Sequence, residues 1–201
     1  MRVSAEIASG ALRGPALRAR LGAVAPRDRD VWVDDALGLD GIPADAPDLP
    51  RGCVPYLPAG VDEILALVDE APLGPDDTLV DLGAGLGRVV LLAHLLTGAR
   101  AHGVEIQAHL VERACATALA LRAPEVTFVH ADASAIALDG SVFFLYAPCN
   151  GPMLAALLAR LEAVARRRRI VVATVGLELA AVPWLVARPS ARVSLSLYDS
   201  R

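Results

Sequence analysis

The chain has 201 residues, 55% of them hydrophobic and 21% charged, with a formal net charge of −4 at pH 7; this is the make-up of one folded domain with a short extension, and it excludes disorder. The negative balance leaves no general electrostatic case for nucleic acid as a partner. All 19 basic residues are arginine, which excludes a lysine Schiff base and the lysine-dependent phosphate loop, and no arginine serves as a general base.

Residues 1–30 carry six arginines against three acids, and short helices are predicted over Ser4–Ala11 and Ala16–Ala23, separated by Gly14-Pro15. Residues 31–50 carry five aspartates and no base; with Gly41, Pro43, Pro47 and Pro50 they read as irregular chain. The change of sign would let the two stretches pack together or leave both solvated, and Trp32 is the expected anchor. Residues 1–55 are therefore read as an N-terminal extension that caps a site, and residues 56–201 as the core.

Tyr56-Leu57-Pro58 precedes a helical pattern at Val61–Val68, and Gly74-Pro75-Asp76-Asp77 is a turn. Strand and helix then alternate. Strands are predicted at Thr78–Asp81, Ala101–Glu105, Val126–His130, Val142–Tyr146 and Ile170–Val175, and helices at Arg88–Leu96, Ala108–Leu121 and Met153–Ala165. Two further strands, Pro183–Ala187 and Arg192–Tyr198, meet at Pro189-Ser190. Repeated strand–helix units imply an α/β fold with a mostly parallel, doubly wound sheet. Its ligand is expected at the carboxyl ends of the strands, beside the first.

That position is occupied by Thr78–Arg88, TLVDLGAGLGR. A strand, a tight glycine turn and a helix start follow one another, a junction expected to turn bare backbone N–H groups toward a ligand. The spacing is not the G-x-G-x-x-G of dinucleotide folds, because Arg88 or Val90 stands where the last glycine belongs. It is D-x-G-x-G-x-G, with Asp81 placed for a cationic or hydroxyl group. Glu105 ends the second strand, 18 residues beyond Gly87. An acid there accepts both hydroxyls of a ribose, or it is a helix N-terminal acid favoured by the dipole. Asp132 follows the third strand, placed to accept from an exocyclic adenine amine or to cap a turn.

Three acids at the ends of adjacent strands, together with VDLGAGLG at 80–87, resemble the class I S-adenosylmethionine-dependent methyltransferases. The resemblance covers about residues 56–198. It implies a Rossmann-like seven-strand sheet with an antiparallel C-terminal strand, the helix before the last strand pair being shortened to Gly176–Val182. It also implies S-adenosylmethionine as cofactor. Asp81 and the turn of Gly83, Gly85 and Gly87 would then hold the methionine moiety, Glu105 the ribose, and Asp132 with the Ala133 backbone the adenine. Tyr56-Leu57-Pro58-Ala59 followed by a helix and the glycine motif is similar to the entry of the seven-strand protein lysine methyltransferases that lack a SET domain. There Tyr56 would be a lid residue; otherwise it is a core aromatic.

By the same resemblance the acceptor is met after the fourth strand, where the chain reads Leu145-Tyr146-Ala147-Pro148-Cys149-Asn150. Ala147 and Cys149 depart from the signature of amino-adenine and glutamine methylation, which disfavours those acceptors. Tyr146 and Asn150 are the candidates to orient an amine or hydroxyl. The expected acceptor is a protein side-chain amine ahead of a small metabolite, the competing class being a non-catalytic nucleoside-binding module. Of the histidines, His94 reads as structural and none of His102, His109 and His130 stands out as a base. Cys53, Cys115 and Cys149 form no CxxC pair, so neither a disulfide framework nor a cysteine zinc site is expected, no metal cluster is visible, and a reducing cytoplasm fits. Gly140–Ala159 is 20 residues without formal charge, but Pro148, Asn150, Gly151 and Pro152 break it, so a strand and helix are expected rather than a membrane span. Arg166–Arg169 suits a helix C-terminus as a solvated face, or an anionic partner.

Overall fold

The computed structural model describes residues 3–39 and 41–201. Seven strands form one sheet in the order β3-β2-β1-β4-β5-β7-β6. They are β1 Thr78–Leu82, β2 Arg100–Glu105, β3 Val126–His130, β4 Val142–Tyr146, β5 Val171–Val175, β6 Leu185–Arg188 and β7 Leu195–Ser200. β1 to β5 pair in parallel, and β7 runs antiparallel between β5 and β6. The inner strands are mostly apolar because both faces are covered: β1, β4 and β5 are buried along nearly their whole length. Edge strand β3 is mostly exposed.

The crossover helices are α5 Arg88–Thr97, α6 Ala108–Ala120 and α7 Gly151–Ala165. α7 starts at Gly151 rather than Met153, with Pro152 in its first turn, where a missing N–H is not felt. α5 closes on Gly98, whose left-handed backbone (φ 76°) returns its N–H to the His94 carbonyl at 2.8 Å. No helix lies between β5 and β6; residues 176–184 are turns and coil. Among the described residues no helix is long and apolar enough to cross a membrane.

Residues 3–39 are more ordered than their composition suggests. α1 Val3–Ala8, α2 Gly14–Gly22 and α3 Arg29–Leu37 precede α4 Val61–Glu70. α3 overturns the expectation of irregular chain at 31–37: its Val33, Ala36 and Leu37 share one face, and tertiary burial overrides the poor helix propensity of its aspartates. These helices explain α5. Residues 88–96 are all buried, and apart from Arg88 and His94 they are apolar, so α5 has no solvent face. One side lies on the sheet, and α2 and α4 cover the other. Ile7, Leu17, Leu21, Val33 and Leu37 thus belong to the same core as β1, α4 and α5, with Trp32 partly buried against it. A second core, on the opposite face, joins α7 to Val80, Phe143, Val172 and Tyr198.

The charges of the extension do not pair as its sign change suggested. Arg18 and Arg29 reach Asp69 and Asp62 of α4, whereas Asp30 and Asp34 of α3 pair with Arg88. Arg13 ties α2 to the end of α6 by hydrogen bonds to the Leu121 and Arg122 carbonyls, at 2.8 and 2.9 Å. Between α3 and α4 the chain, residues 41–60, runs without regular structure across the carboxyl ends of the strands. We refer to it as the strap.

Candidate functional site

β1 lies between β2 and β4. Its neighbours connect onward to opposite sides, so the sheet opens at the carboxyl end of β1, and the glycine turn falls there. Gly83, Gly85 and Gly87 have φ of 98°, 54° and 83°, a left-handed backbone that side chains resist. Space is equally short. A Cβ on Gly83 would stand 2.7 Å from Pro148, and one on Gly85 would overlap the Tyr56 ring. The turn's N–H groups, however, are not bare. Gly83 and Ala84 donate to the Val104 carbonyl at 2.8 and 3.1 Å, Gly87 to the Ala84 carbonyl at 2.8 Å, and Gly85 to Glu105 Oε2 at 2.9 Å. The N–H groups of Gly83, Ala84, Gly85 and Gly87 are thus engaged in internal bonds, and the glycines also permit the close approach of Pro148 and Tyr56.

Glu105 is buried and accepts from the Gly85 N–H and, through Oε1, from the Gln107 N–H at 2.9 Å. It therefore fixes the glycine turn while lining the cleft. Asp132 lines the same cleft, and its Oδ1 accepts from the Ser134 N–H and Oγ at 2.8 and 2.7 Å. It caps its own turn with one oxygen, so the capping alternative describes half of the carboxylate.

Asp81 differs from both. It is 3% exposed, borders the cleft, and has no hydrogen-bond partner for its carboxylate among the described residues. Burial first, then the charge of Glu105, push its carboxyl up to about 8. A buried, unpartnered acid facing a cleft is a costly arrangement that a cationic ligand group relieves.

The cleft has two lobes. The larger, a cavity of about 130 Å³, is lined by Glu105, Gln107, Asp132, Ala133 and Ser134 on one side and by Cys53, Val54, Pro148, Cys149 and Met153 on the other. The smaller, about 20 Å³, is lined by Asp81, Ala84, Arg88, Val89, Pro58 and Ala59. Tyr56, Leu57, Gly83 and Tyr146 border both. Asn150 does not line the cleft: its side chain is exposed, while its N–H is held by the Gly52 carbonyl at 2.8 Å. Gly85 and Gly87 lie behind the lining as well, beneath Tyr56 and Phe128.

Residues that composition alone did not single out hold the roof in place. Asp45 Oδ1 accepts from the Tyr56 N–H and from Gln107 Nε2, each at 2.9 Å, and Gln107 Oε1 accepts from the Ala46 N–H at 2.7 Å. Gln107, two residues after Glu105, was the available signal. Arg88, buried at the start of α5, donates to Asp34 through Nε at 2.9 Å and through Nη2, and to the Ala59 carbonyl at 2.9 Å. Burial pushes the Asp34 carboxyl up against the opposing pull of Arg88.

The histidines stay out of the cleft: His94 is buried with Nδ1 2.8 Å from the Ala99 carbonyl, and His109 and His130 face the Ala44 and Ile106 carbonyls. Among the described residues no group of three or more His, Cys, Asp and Glu could hold a metal. Arg166 pairs with Glu162 and Arg168 with Asp139, while Arg167 and Arg169 are exposed.

A family model described as "Histone methylation protein DOT1" matches residues 59–128, from the end of the strap through most of β3. The Caenorhabditis elegans lysine N-methyltransferase of the ATP synthase C-subunit is 38% identical over 82 residues, covering 38% of this chain and 43% of the relative. The H3 lysine-79 specific histone-lysine N-methyltransferase of Cryptococcus neoformans is 45% identical over 40 residues, 20% of this chain and 6% of the relative. The chain thus spans less than half the length of these curated relatives. Among solved structures, an RNA methyltransferase from Salinibacter ruber in complex with S-adenosyl-L-homocysteine superposes with a TM-score of 0.56 at 22% identity, over 72% of this chain and 92% of that one. The strand order, the single antiparallel strand and this superposition establish the class I methyltransferase fold, and over residues 59–128 the chain is similar to the DOT1 histone-methylation family.

Proposed function

We propose that this protein transfers a methyl group from S-adenosylmethionine to an amine, a protein lysine side chain being the favoured acceptor. The observation that carries the reading is the convergence of Asp81, Glu105 and Asp132, from the ends of three neighbouring strands, on one two-lobed cleft roofed by Tyr56. The site fits the donor on its own chemistry. Asp81 supplies an unpartnered acid for an α-ammonium in the small lobe. Glu105 and Asp132 each keep acceptor capacity toward the large lobe, for ribose hydroxyls and an adenine amine. When bound, the donor contributes a methyl already activated by its sulfonium.

The chain's own contribution is then alignment and water exclusion. Gly83, Tyr56 and Tyr146, shared by both lobes, frame the place where the methyl would face the acceptor. An acceptor amine must arrive neutral. Burial pushes the Tyr56 phenol up, against the Arg88 charge and a bond from the Leu86 backbone, so at neutral pH it is a hydrogen-bonding group and not a base. Leu57, Val54 and the two tyrosines present a largely apolar entrance that favours the uncharged amine. The lysine assignment draws on the named relatives, which are lysine methyltransferases. The family match ends at residue 128, before Tyr146, so the acceptor side needs its own test.

The test is calorimetric titration with S-adenosylmethionine, followed by incubation of a lysate with the tritiated-methyl donor and amino-acid analysis of the labelled products. Saturable binding, and label recovered as Nε-methyl-lysine, are expected. Absence of binding overturns the donor assignment; label confined to small molecules overturns the lysine assignment.

A further inference from the structure

The strap and the loop after β4 meet in a short antiparallel contact. The Val54 N–H donates to the Pro148 carbonyl at 3.0 Å and the Asn150 N–H to the Gly52 carbonyl at 2.8 Å. These bonds bracket one residue on each side, Cys53 and Cys149, which form an isolated antiparallel bridge. Because the flanking residues make the bonds, Cys53 and Cys149 are a non-hydrogen-bonded pair, the register with Cα atoms about 4.5 Å apart and the side chains closest. That separation lies inside the range a disulfide spans. Both are free thiols, and both line the large lobe.

We infer that Cys53 and Cys149 are a redox latch: a disulfide between them staples the strap to the acceptor loop and slows exchange of the ligand beneath. The kinetic part rests on the donor-site reading above; the cross-link itself does not. The consequence follows from what each side carries. Three residues beyond Cys53 is Tyr56, whose ring lies on Gly85, and beside Cys149 is Pro148, packed on Gly83. The strap has no regular structure and is held over the cleft by a handful of hydrogen bonds, so it is the part that must lift to admit a ligand as large as a nucleoside. A covalent bond at Cys53 removes that freedom without touching Asp81, Glu105 or Asp132.

The chemistry is thiol–disulfide exchange with a low-molecular-weight disulfide such as oxidised glutathione. Cys53, partly exposed while Cys149 is buried, attacks as the thiolate and releases one small thiol. Cys149 then displaces the second. Two protein S–H bonds and the small disulfide's S–S bond are replaced by one protein S–S bond and two small thiols, the protein losing two electrons. The Cys53 thiol exchanges its 3.6 Å contact with Met153 Sδ for the covalent bond. Burial pushes both thiols up, Cys149 to about 11, so the thiolate fraction is small and the exchange is slow at neutral pH.

The test uses the full chain carrying Cys115→Ser, which removes the exposed third thiol on α6. After treatment with oxidised glutathione, peptide mapping should find one intramolecular 53–149 disulfide, and the Tm should rise by roughly 5 °C, reversibly with dithiothreitol. Stopped-flow dissociation of preloaded S-adenosylhomocysteine should slow at least tenfold, and Cys53→Ser or Cys149→Ser should abolish the change. Stable glutathione adducts at either cysteine, or only intermolecular dimers, overturn the latch. A mapped disulfide with unchanged dissociation overturns its control of exchange. If the reduced protein does not bind the probe at all, the donor reading falls, and the cross-link is judged by the map and the Tm alone.

Discussion

Asp81 shows how one residue trades stability for a ligand. Its carboxyl titrates near 8 in the folded protein, against about 3.9 in an unfolded chain. Between those values the folded state holds the extra proton, so stability falls as pH rises from about 4 to 8. Asp81→Asn keeps the shape and removes the penalty. It should melt roughly 10 °C or more above the wild type at pH 8, with the gap closing toward pH 4. The same substitution should weaken S-adenosylmethionine binding at least 100-fold. In the wild type, binding an ammonium requires the carboxylate, so affinity should rise by about tenfold per pH unit below 8 and then level off. Scanning fluorimetry and calorimetry across pH 5–8.5 check all three; an Asp81→Asn protein that melts below the wild type at pH 8 would sink the account. The residue was legible from D-x-G-x-G-x-G. Its isolation was not, because that depends on the glycine N–H groups being taken by Val104 and Glu105, which lie on another strand.

At the level of elements, α3, the strap and α5 are joined through Arg88. One guanidinium, 7% exposed, holds Asp34 of α3 and the Ala59 carbonyl at the strap's end, while Asp30 Oδ1 accepts from the Val61 N–H that opens α4. Removing Asp34 leaves a buried charge with less compensation. Asp34→Ala should cost about 2 kcal/mol, read by urea denaturation with Trp32 fluorescence. A second change, Arg88→Met, should return part of that loss, since an apolar side chain suits the pocket once its partner is gone. A double variant no more stable than Asp34→Ala alone would refute the pairing. This is also where sequence reading reached its limit. The strand–helix alternation from Thr78 onward follows from local apolar periodicity and was legible to within a few residues. α3 was not, because its aspartates make a poor helix in isolation and the arginine that accounts for two of them lies 54 residues away. The roof contacts of Asp45 and Gln107 were hidden for the same reason: they join residues about 60 apart.

On the scale of the whole molecule, the question is what residues 3–39 are for. A boundary at residue 55 separates them from the strands that build the cleft, yet their apolar side chains lie in the core shared with β1, α4 and α5. Full burial of a leucine or isoleucine is worth about 2 kcal/mol. Ile7, Leu17, Leu21, Val33 and Leu37 together represent on the order of 10 kcal/mol, comparable to the total stability of a typical domain, roughly 5–15 kcal/mol. The sequence of α5 makes the same point independently. VVLLAHLL has no polar face, so a fragment lacking α2 would turn an apolar stripe to water. We therefore propose that the extension is part of the folding unit as well as the support of the strap. A fragment of residues 56–201 should be insoluble, or should bind a hydrophobic dye and melt without a cooperative transition, and supplying residues 1–55 in trans should restore cooperativity. A fragment that is monomeric, melts sharply and binds S-adenosylmethionine as the full chain does would show that the extension is a dispensable cap.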